Sequence, residues 1–322
     1  MLEWTTIYFL FNRKEPINQC AALGLIYSII SPTAFVSLFS FTEYMGTSAS
    51  KFFGEKKFQN LINTFWYTIF SLLPVLLIFV VPVFYFSSQL LGLVNIEEKV
   101  IEIVSQKIMY FLPFVFLYAI NMIIQTYCNA QGIEHQFAIV RMSVIALNFS
   151  FVWIFVIWLE IGIFGIALSQ ALCELWAFAV NCYILKKYCL EETIGFLDSE
   201  NLQKKLLSHL WESIKFAFSV AFEAISTDMN LVFVGLLHNT VGLSAYTSWV
   251  NYMFIVYSAG VGTSILIRTR TSYLIGKGEK HDAKRFFFWN MGLHTLFGLV
   301  VALLQLIMGG FIASLYTSDP ES

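Results

Sequence analysis

Two carboxylates stand inside a stretch that is otherwise built to cross a bilayer. Ile214–Leu237 reads IKFAFSVAFEAISTDMNLVFVGLL. At a helical rise of about 1.5 Å per residue it is roughly 36 Å long, enough for one span. Glu223 and Asp228 interrupt it, with Thr227 and Asn230 beside them. A charged side chain at bilayer depth costs about 3 kcal/mol or more, so such groups face a bundle interior or an aqueous cavity. A carboxyl in a low-dielectric cleft holds a proton or an organic cation and resists losing both. Displacement of one by the other is the thermodynamic core of antiport. The competing reading is an acid hydrogen-bonded to a neighbouring helix. Glu223, Thr227 and Asn230 share a helix face by their i, i+4, i+7 spacing. Asp228, five residues from Glu223, points roughly 140° away from it.

The remaining composition is that of a membrane protein. Of 322 residues, 58% are hydrophobic and only 12% charged, and mean hydropathy is +0.71. Soluble domains carry about 25% charged residues. A net charge of −2 implies no nucleic-acid partner. The five cysteines (Cys20, Cys128, Cys173, Cys182, Cys189) lie in or beside apolar runs, with no zinc or redox spacing, and read as packing residues rather than a disulfide framework. No basic n-region precedes the short apolar run Ile7–Phe11, so the N-terminus is a poor signal peptide. No metal cluster, phosphate loop or catalytic triad is visible, and the Gly276-Lys-Gly278 run follows no strand, so the chain reads as neither an enzyme nor a nucleotide binder. No cofactor is expected.

Hydropathy predicts an all-α, polytopic bundle of about eight spans after an N-terminal stub. The spans are Cys20–Met45, Leu61–Val83, Ile108–Tyr127, Phe137–Leu159, Ile163–Leu185, Ile214–Leu237, Leu243–Ile267 and Phe286–Tyr316. Pro74 and Pro82 predict a kinked or late-breaking second span. Ser87–Glu102 reads as amphipathic and acidic, and Lys186–Glu212 as an amphipathic helix at the interface. Lys51–Lys57 and Arg268–Arg285 read as basic loops. With alternate loops on opposite sides, only Arg13, Lys14, Lys99 and Lys107 of the 19 Lys and Arg residues fall away from the other basic residues. The positive-inside rule then makes the basic loops cytoplasmic.

An internal repeat divides the chain. Ser50-Lys-Phe-Phe-Gly-Glu-Lys-Lys57 and Tyr273-Leu-Ile-Gly-Lys-Gly-Glu-Lys280 each precede a long aromatic span, and Gly54 and Gly276 are 222 positions apart. The closing motifs Leu91-Gly-Leu-Val-Asn95 and Leu315-Tyr-Thr-Ser-Asp319 keep about the same offset. Both copies start on the same side, so the repeats are parallel. The expected organisation is an N-terminal half over 1–187, a cytoplasmic linker over 188–212 and a partial C-terminal half over 213–322.

At these residues the chain resembles the MATE family of multidrug and toxic compound extrusion transporters. Gly54 and Gly276-Lys-Gly278 match the family's paired glycine loops. Cys128-Asn-Ala-Gln-Gly132 resembles its L-Q-A-Q-G, Gly162-Ile-Phe-Gly-Ile-Ala-Leu168 its G-x-x-G-x-A, and Leu315-Tyr-Thr-Ser-Asp-Pro-Glu321 its L-F-T-x-D-P-E. Gln136 stands where the family commonly has proline, and Lys51 where it has glutamine. The resemblance covers family helices two to nine of twelve, so the chain reads as truncated or as needing a partner chain or self-association to complete its bundle.

What the resemblance implies is an antiporter exporting small amphipathic, often cationic organic compounds in exchange for protons, with sodium left open. Glu223 and Asp228 fall where eukaryotic-type members carry two acids in the seventh helix, and Asn251 where relatives carry an acid or an asparagine. The implied setting is the bilayer of a plasma, vacuolar or other endomembrane. Glu174 has no clear family counterpart and reads as structurally paired, and Glu43 as snorkelling or paired with a loop lysine. Tyr246, Trp249 and Tyr252 could face a quaternary amine, although 17% of the chain is aromatic. Two alternatives stay open: a non-transporting fragment or partner of a full-length transporter, and a lipid-linked sugar flippase, which would want a cationic cavity.

Overall fold

In a computed structural model, residues 16–92, 98–198, 203–218, 222 and 260–316 are described. Among them there is no strand. The chain forms two compact units. The first comprises Met1–Ala49 with Lys57–Val220, and the second Ser50–Lys56 with Ala221–Ser322.

The first unit opens with α1 (Pro16–Ile30), a π turn over Ser31–Phe35, and α2 (Val36–Gly54). Together they make one apolar rod, Ala22–Gly54. Pro32 explains the π turn. A proline within a helix lacks its N–H and crowds the preceding turn, and a widened turn accommodates both defects. The Thr33 hydroxyl donates to the Ile29 carbonyl at 2.6 Å within that turn. Next comes α3 (Phe58–Tyr85), which carries Pro74 and Pro82 and is continuous to Tyr85. It ends where the Phe86 N–H closes on the Pro82 carbonyl.

The short α4 (Ser87–Gly92) precedes α5 (Glu98–Lys107), which runs through a 3-10 turn at Ile108–Phe111 into α6 (Leu112–Asn129). Glu98–Asn129 is thus one candidate span. The acidic segment predicted to be separate is in part its first turn. Helix α7 (His135–Val152) ends in a second π turn, Trp153–Trp158, and α8 (Gly162–Tyr188) packs on α6 and α7. The turn between α7 and α8 places Glu160 and Gly162 in the left-handed region, at φ 56° and 60°. The buried residues of α8 explain its packing. Ile163, Ile166, Ala167, Gln170, Cys173, Glu174, Ala177, Asn181 and Ile184 form one stripe at helical spacing.

Two expectations about the polar segments are corrected. Lys186–Glu212 is not one helix: α8 continues to Tyr188, a 3-10 turn follows at Glu191–Thr193, and residues 194–198 have no regular structure. Helix α9 covers residues 203–218. The basic loops are also mostly helix. In the second unit α10 (residues 260–276) and α11 (Lys280–Tyr316) leave only residues 277–279 as the turn between them, and α2 reaches Gly54. Basic side chains at helix ends read as loop in a hydropathy profile because they depress it without breaking the backbone. Six helices among the described residues are long and apolar enough to span a membrane. Of the other predicted spans, Ile214–Leu237 and Leu243–Ile267 lie mostly outside the described residues.

Candidate functional site

The predicted substrate and proton residues Glu223, Thr227, Asp228, Asn230 and Asn251 lie outside the described residues. The predicted motif glycines are described, and Gly54 and Gly276 come together inside the second unit. A Cβ built on Gly54 would stand 2.2 Å from the Tyr273 carbonyl oxygen, and one on Gly276 would stand 2.1 Å from the Lys51 carbonyl oxygen. Only residues without a side chain allow the ends of α2 and α10 to approach this closely. The Phe53 and Tyr273 rings flank the contact with centroids 5.9 Å apart.

The turns that follow repeat one another. The Glu55 N–H bonds Lys51 O and the Lys56 N–H bonds Phe53 O; in the second copy the Lys277 N–H bonds Tyr273 O and the Gly278 N–H bonds Ile275 O. Lys56 and Gly278, again 222 positions apart, are both left-handed, with φ of 57° and 86°. The internal repeat is therefore conserved in backbone geometry where the residue types differ.

The first unit holds a buried ionic centre. Arg141 Nη1 lies 2.8 Å from Glu174 Oε1, with the carboxylate side chain 2% exposed. Asn121 Nδ2 donates to Glu174 Oε2 at 2.6 Å and to its backbone carbonyl at 2.8 Å. Asn181 Nδ2 donates in turn to Asn121 Oδ1 at 3.0 Å, and Arg141 Nε to Gln125 Oε1 at 3.3 Å. The Arg141 guanidinium lies over the Tyr118 ring, 5.2 Å from its centroid. These residues come from α6, α7 and α8. They meet the main physical requirement for a charge in a membrane bundle, an opposite charge backed by hydrogen bonds, although Arg141 Nη2 and Asn181 Oδ1 are buried without a hydrogen-bond partner. Glu174 is thus structurally paired, as its sequence position predicts, and its partner is a residue that the hydropathy reading assigns to the basic side.

The segment after α8 is fastened across the ends of α3 and α6. Tyr127 Oη donates to the Thr193 carbonyl at 2.6 Å, and the Thr193 hydroxyl approaches Gln131 Oε1 at 3.0 Å. Trp66 Nε1 donates to the Gly195 carbonyl at 3.0 Å, Gln59 Nε2 to the Phe196 carbonyl at 3.2 Å, and the Asp198 N–H to Asn63 Oδ1 at 3.0 Å. Further on, His209 of α9 is buried against Tyr44 and meets Thr68 Oγ1 through Nε2 at 3.0 Å. The Thr68 hydroxyl also bonds the Thr64 carbonyl at 2.9 Å. A single hydroxyl proton cannot serve both, so donation to Thr64 leaves His209 Nε2–H as the other donor. Burial pushes the His209 pKa down to about 4.

Six long apolar helices and a paired charge between them, among the described residues, mark a polytopic membrane protein. The MatE family model matches residues 4–154 and 216–322. The chain belongs to the MATE family. Among curated proteins it is similar to Protein DETOXIFICATION 29 of Arabidopsis thaliana, at 21% identity over 305 residues, covering 94% of this chain and 60% of that protein. It spans about 60% of the length of this relative. The eukaryotic MATE transporter AtDTX14 superposes with a TM-score of 0.81 at 16% identity, covering 96% of this chain and 68% of that one. The Vibrio cholerae MATE transporter VcmN in its bent form superposes at 0.82 and 17% identity, covering 99% and 72%. These likenesses show the fold. The chain is an integral membrane protein.

Proposed function

We propose that the chain acts as a secondary antiporter, exporting amphipathic, often cationic organic compounds in exchange for protons. The observation that carries this reading is Glu223, an acid within an apolar span of a MATE-family chain. In this reading Glu223 is the main carboxylate for proton and cation, with Thr227 and Asn230 on its face and Asp228 and Asn251 as helpers. Exchange follows from competition: the carboxyl releases its proton when a cation takes the site. Alternating access between the two repeats carries the site from one side to the other. The setting is a plasma, vacuolar or other endomembrane.

The ionic centre of the first unit supports this reading over a sugar-lipid flippase. A flippase would want a strongly cationic central cavity, whereas the predicted spans hold almost no Lys or Arg and Arg141 is paired with Glu174. The test is exchange in membranes holding the chain, read as efflux of a fluorescent organic cation driven by an imposed pH gradient. Glu223→Gln is expected to abolish coupled exchange while leaving the protein folded. Undiminished coupled exchange in that variant overturns the assignment. Exchange driven equally by a sodium gradient at constant pH replaces the proton as the coupling ion.

A further inference from the structure

Beyond transport, two cysteines 61 residues apart in sequence face each other on the side of the basic turns. Cys128 Sγ, in the last turn of α6, lies 3.5 Å from Cys189 Sγ, the first residue after α8. Both thiols are free, Cys128 fully buried and Cys189 7% exposed. Their facing is enforced from both sides in sequence. Tyr127 holds the Thr193 carbonyl and Gln131 approaches the Thr193 hydroxyl, so the segment carrying Cys189 is pinned one residue before Cys128 and three residues after it. Elsewhere, Cys173 is buried within α8 and Cys182 is exposed on it.

We propose that Cys128 and Cys189 form an oxidisable dithiol site, which a hydroperoxide closes to a disulfide that locks the segment after α8 onto α6. The more accessible Cys189 thiolate attacks one peroxide oxygen. The O–O bond breaks, water leaves after protonation, and Cys189 is left as the sulfenic acid. The Cys128 sulfur then attacks the Cys189 sulfur, the S–O bond breaks, and a second water leaves. Two thiols lose two electrons in all, and one hydrogen peroxide becomes two waters. Closure needs the sulfurs to move from 3.5 Å to about 2.05 Å, a displacement that side-chain rotation and a small shift of the extended segment can supply. On the cytoplasmic side to which the positive-inside rule assigns these turns, glutathione keeps the pair reduced until peroxide rises. The lock joins segments that hydrogen bonds already hold, so oxidation slows their separation without building a new conformation.

Membranes containing the full chain are treated with graded hydrogen peroxide, free thiols are alkylated, and peptides are read by mass spectrometry without reduction. The expected product is a Cys128–Cys189 linked peptide pair, lighter than the reduced pair by two hydrogens. It should form at peroxide levels that leave trypsin cleavage elsewhere unchanged. Cleavage after Lys186 and Lys187 should slow several-fold in the linked form and recover with dithiothreitol. Cys189→Ser, checked for an unchanged trypsin pattern, should leave Cys128 alkylatable as a free thiol. Three results overturn the proposal. One is oxidation of Cys182 while Cys128 and Cys189 stay reduced, and another is linkage only after the chain has unfolded. The third, linkage that leaves cleavage at Lys186 and Lys187 unaltered, removes the lock.

Discussion

Gly54 and Gly276 meet reciprocally: each would drive a Cβ into the backbone of the other's helix three residues upstream, at Tyr273 and Lys51 respectively. The two carbonyl oxygens are themselves engaged by the N–H groups of Lys277 and Glu55, so neither can swing aside without breaking its helix. Gly54→Ala and Gly276→Ala are each expected to destabilise the protein by about 1–3 kcal/mol, because the helices must separate to admit the methyl group. The double variant should lose less than the sum, since one separation relieves both clashes. Thermal unfolding in detergent, followed by tryptophan fluorescence, measures all three.

Lys56 and Gly278 occupy the same left-handed turn position in the two copies. A lysine there carries a steric cost that a glycine does not. Lys56→Gly is expected to stabilise the protein by about 0.5–1 kcal/mol after the greater freedom of glycine in the unfolded chain is counted, and Gly278→Lys to destabilise it by a similar amount. Opposite shifts in the same unfolding measurement confirm the equivalence; shifts of the same sign contradict it.

The Arg141–Glu174 pair separates two costs. Glu174→Gln leaves the half-buried guanidinium, held by Gln125 and Tyr118, without its counter-charge, and Arg141→Met strands the buried carboxylate. Each is expected to cost about 3–5 kcal/mol, whereas the double apolar replacement Arg141→Met with Glu174→Leu should cost much less. A double-mutant cycle on the yield of monodisperse protein and on its melting temperature makes the comparison. A double variant as unstable as the singles would place the loss in packing rather than in charge.

His209 makes the docking of α9 sensitive to acid. Its folded pKa of about 4 lies below the ordinary value of 6.5, so between these limits the unfolded or undocked helix binds a proton that the docked one does not. The stabilisation is complete above about pH 6.5 and is lost as pH falls towards 4, by up to about 3 kcal/mol at 1.36 kcal/mol per unit. Trypsin cleavage after Lys204 and Lys205 should accelerate between pH 6.5 and 5 relative to a peptide control. His209→Gln, which cannot take the proton, should flatten that dependence.

Hydropathy locates the described spans because twenty apolar residues in a row have few other uses. The repeat marks Gly54 and Gly276 as equivalent positions because identical local geometry needs similar residues at a constant offset, whereas their contact is a matter of packing. Other features left no periodic trace. Arg141 sits six residues inside α7, where the approach to its partner 33 positions later depends on how α7 packs on α8. The segment from Leu190 to Asp198 is held through the side chains of Gln59, Asn63, Trp66 and Tyr127, each bonding its backbone. No spacing rule anticipates such bonds, and composition alone made the segment read as an interfacial helix. Pro32 lies inside the first rod, and whether such a proline kinks, breaks or widens its helix depends on the packing around it, which spacing does not encode. Glu223, Thr227, Asp228, Asn230 and Asn251 rest on the sequence and the family alone.

The reciprocity at Gly54 and Gly276 is the form of contact that two identical chains make about a twofold axis. A single polypeptide carrying both copies retains the shape of a homodimer interface while being free of its constraint. In a true homodimer any substitution appears twice and must suit itself across the axis. Here each side mutates alone, and the pairing of Lys56 with Gly278 records that freedom: one copy has accepted a strained, charged residue where the other has kept a relaxed one. Asymmetry of this kind can accumulate in one half, including any acids placed in its spans, without being mirrored in the other.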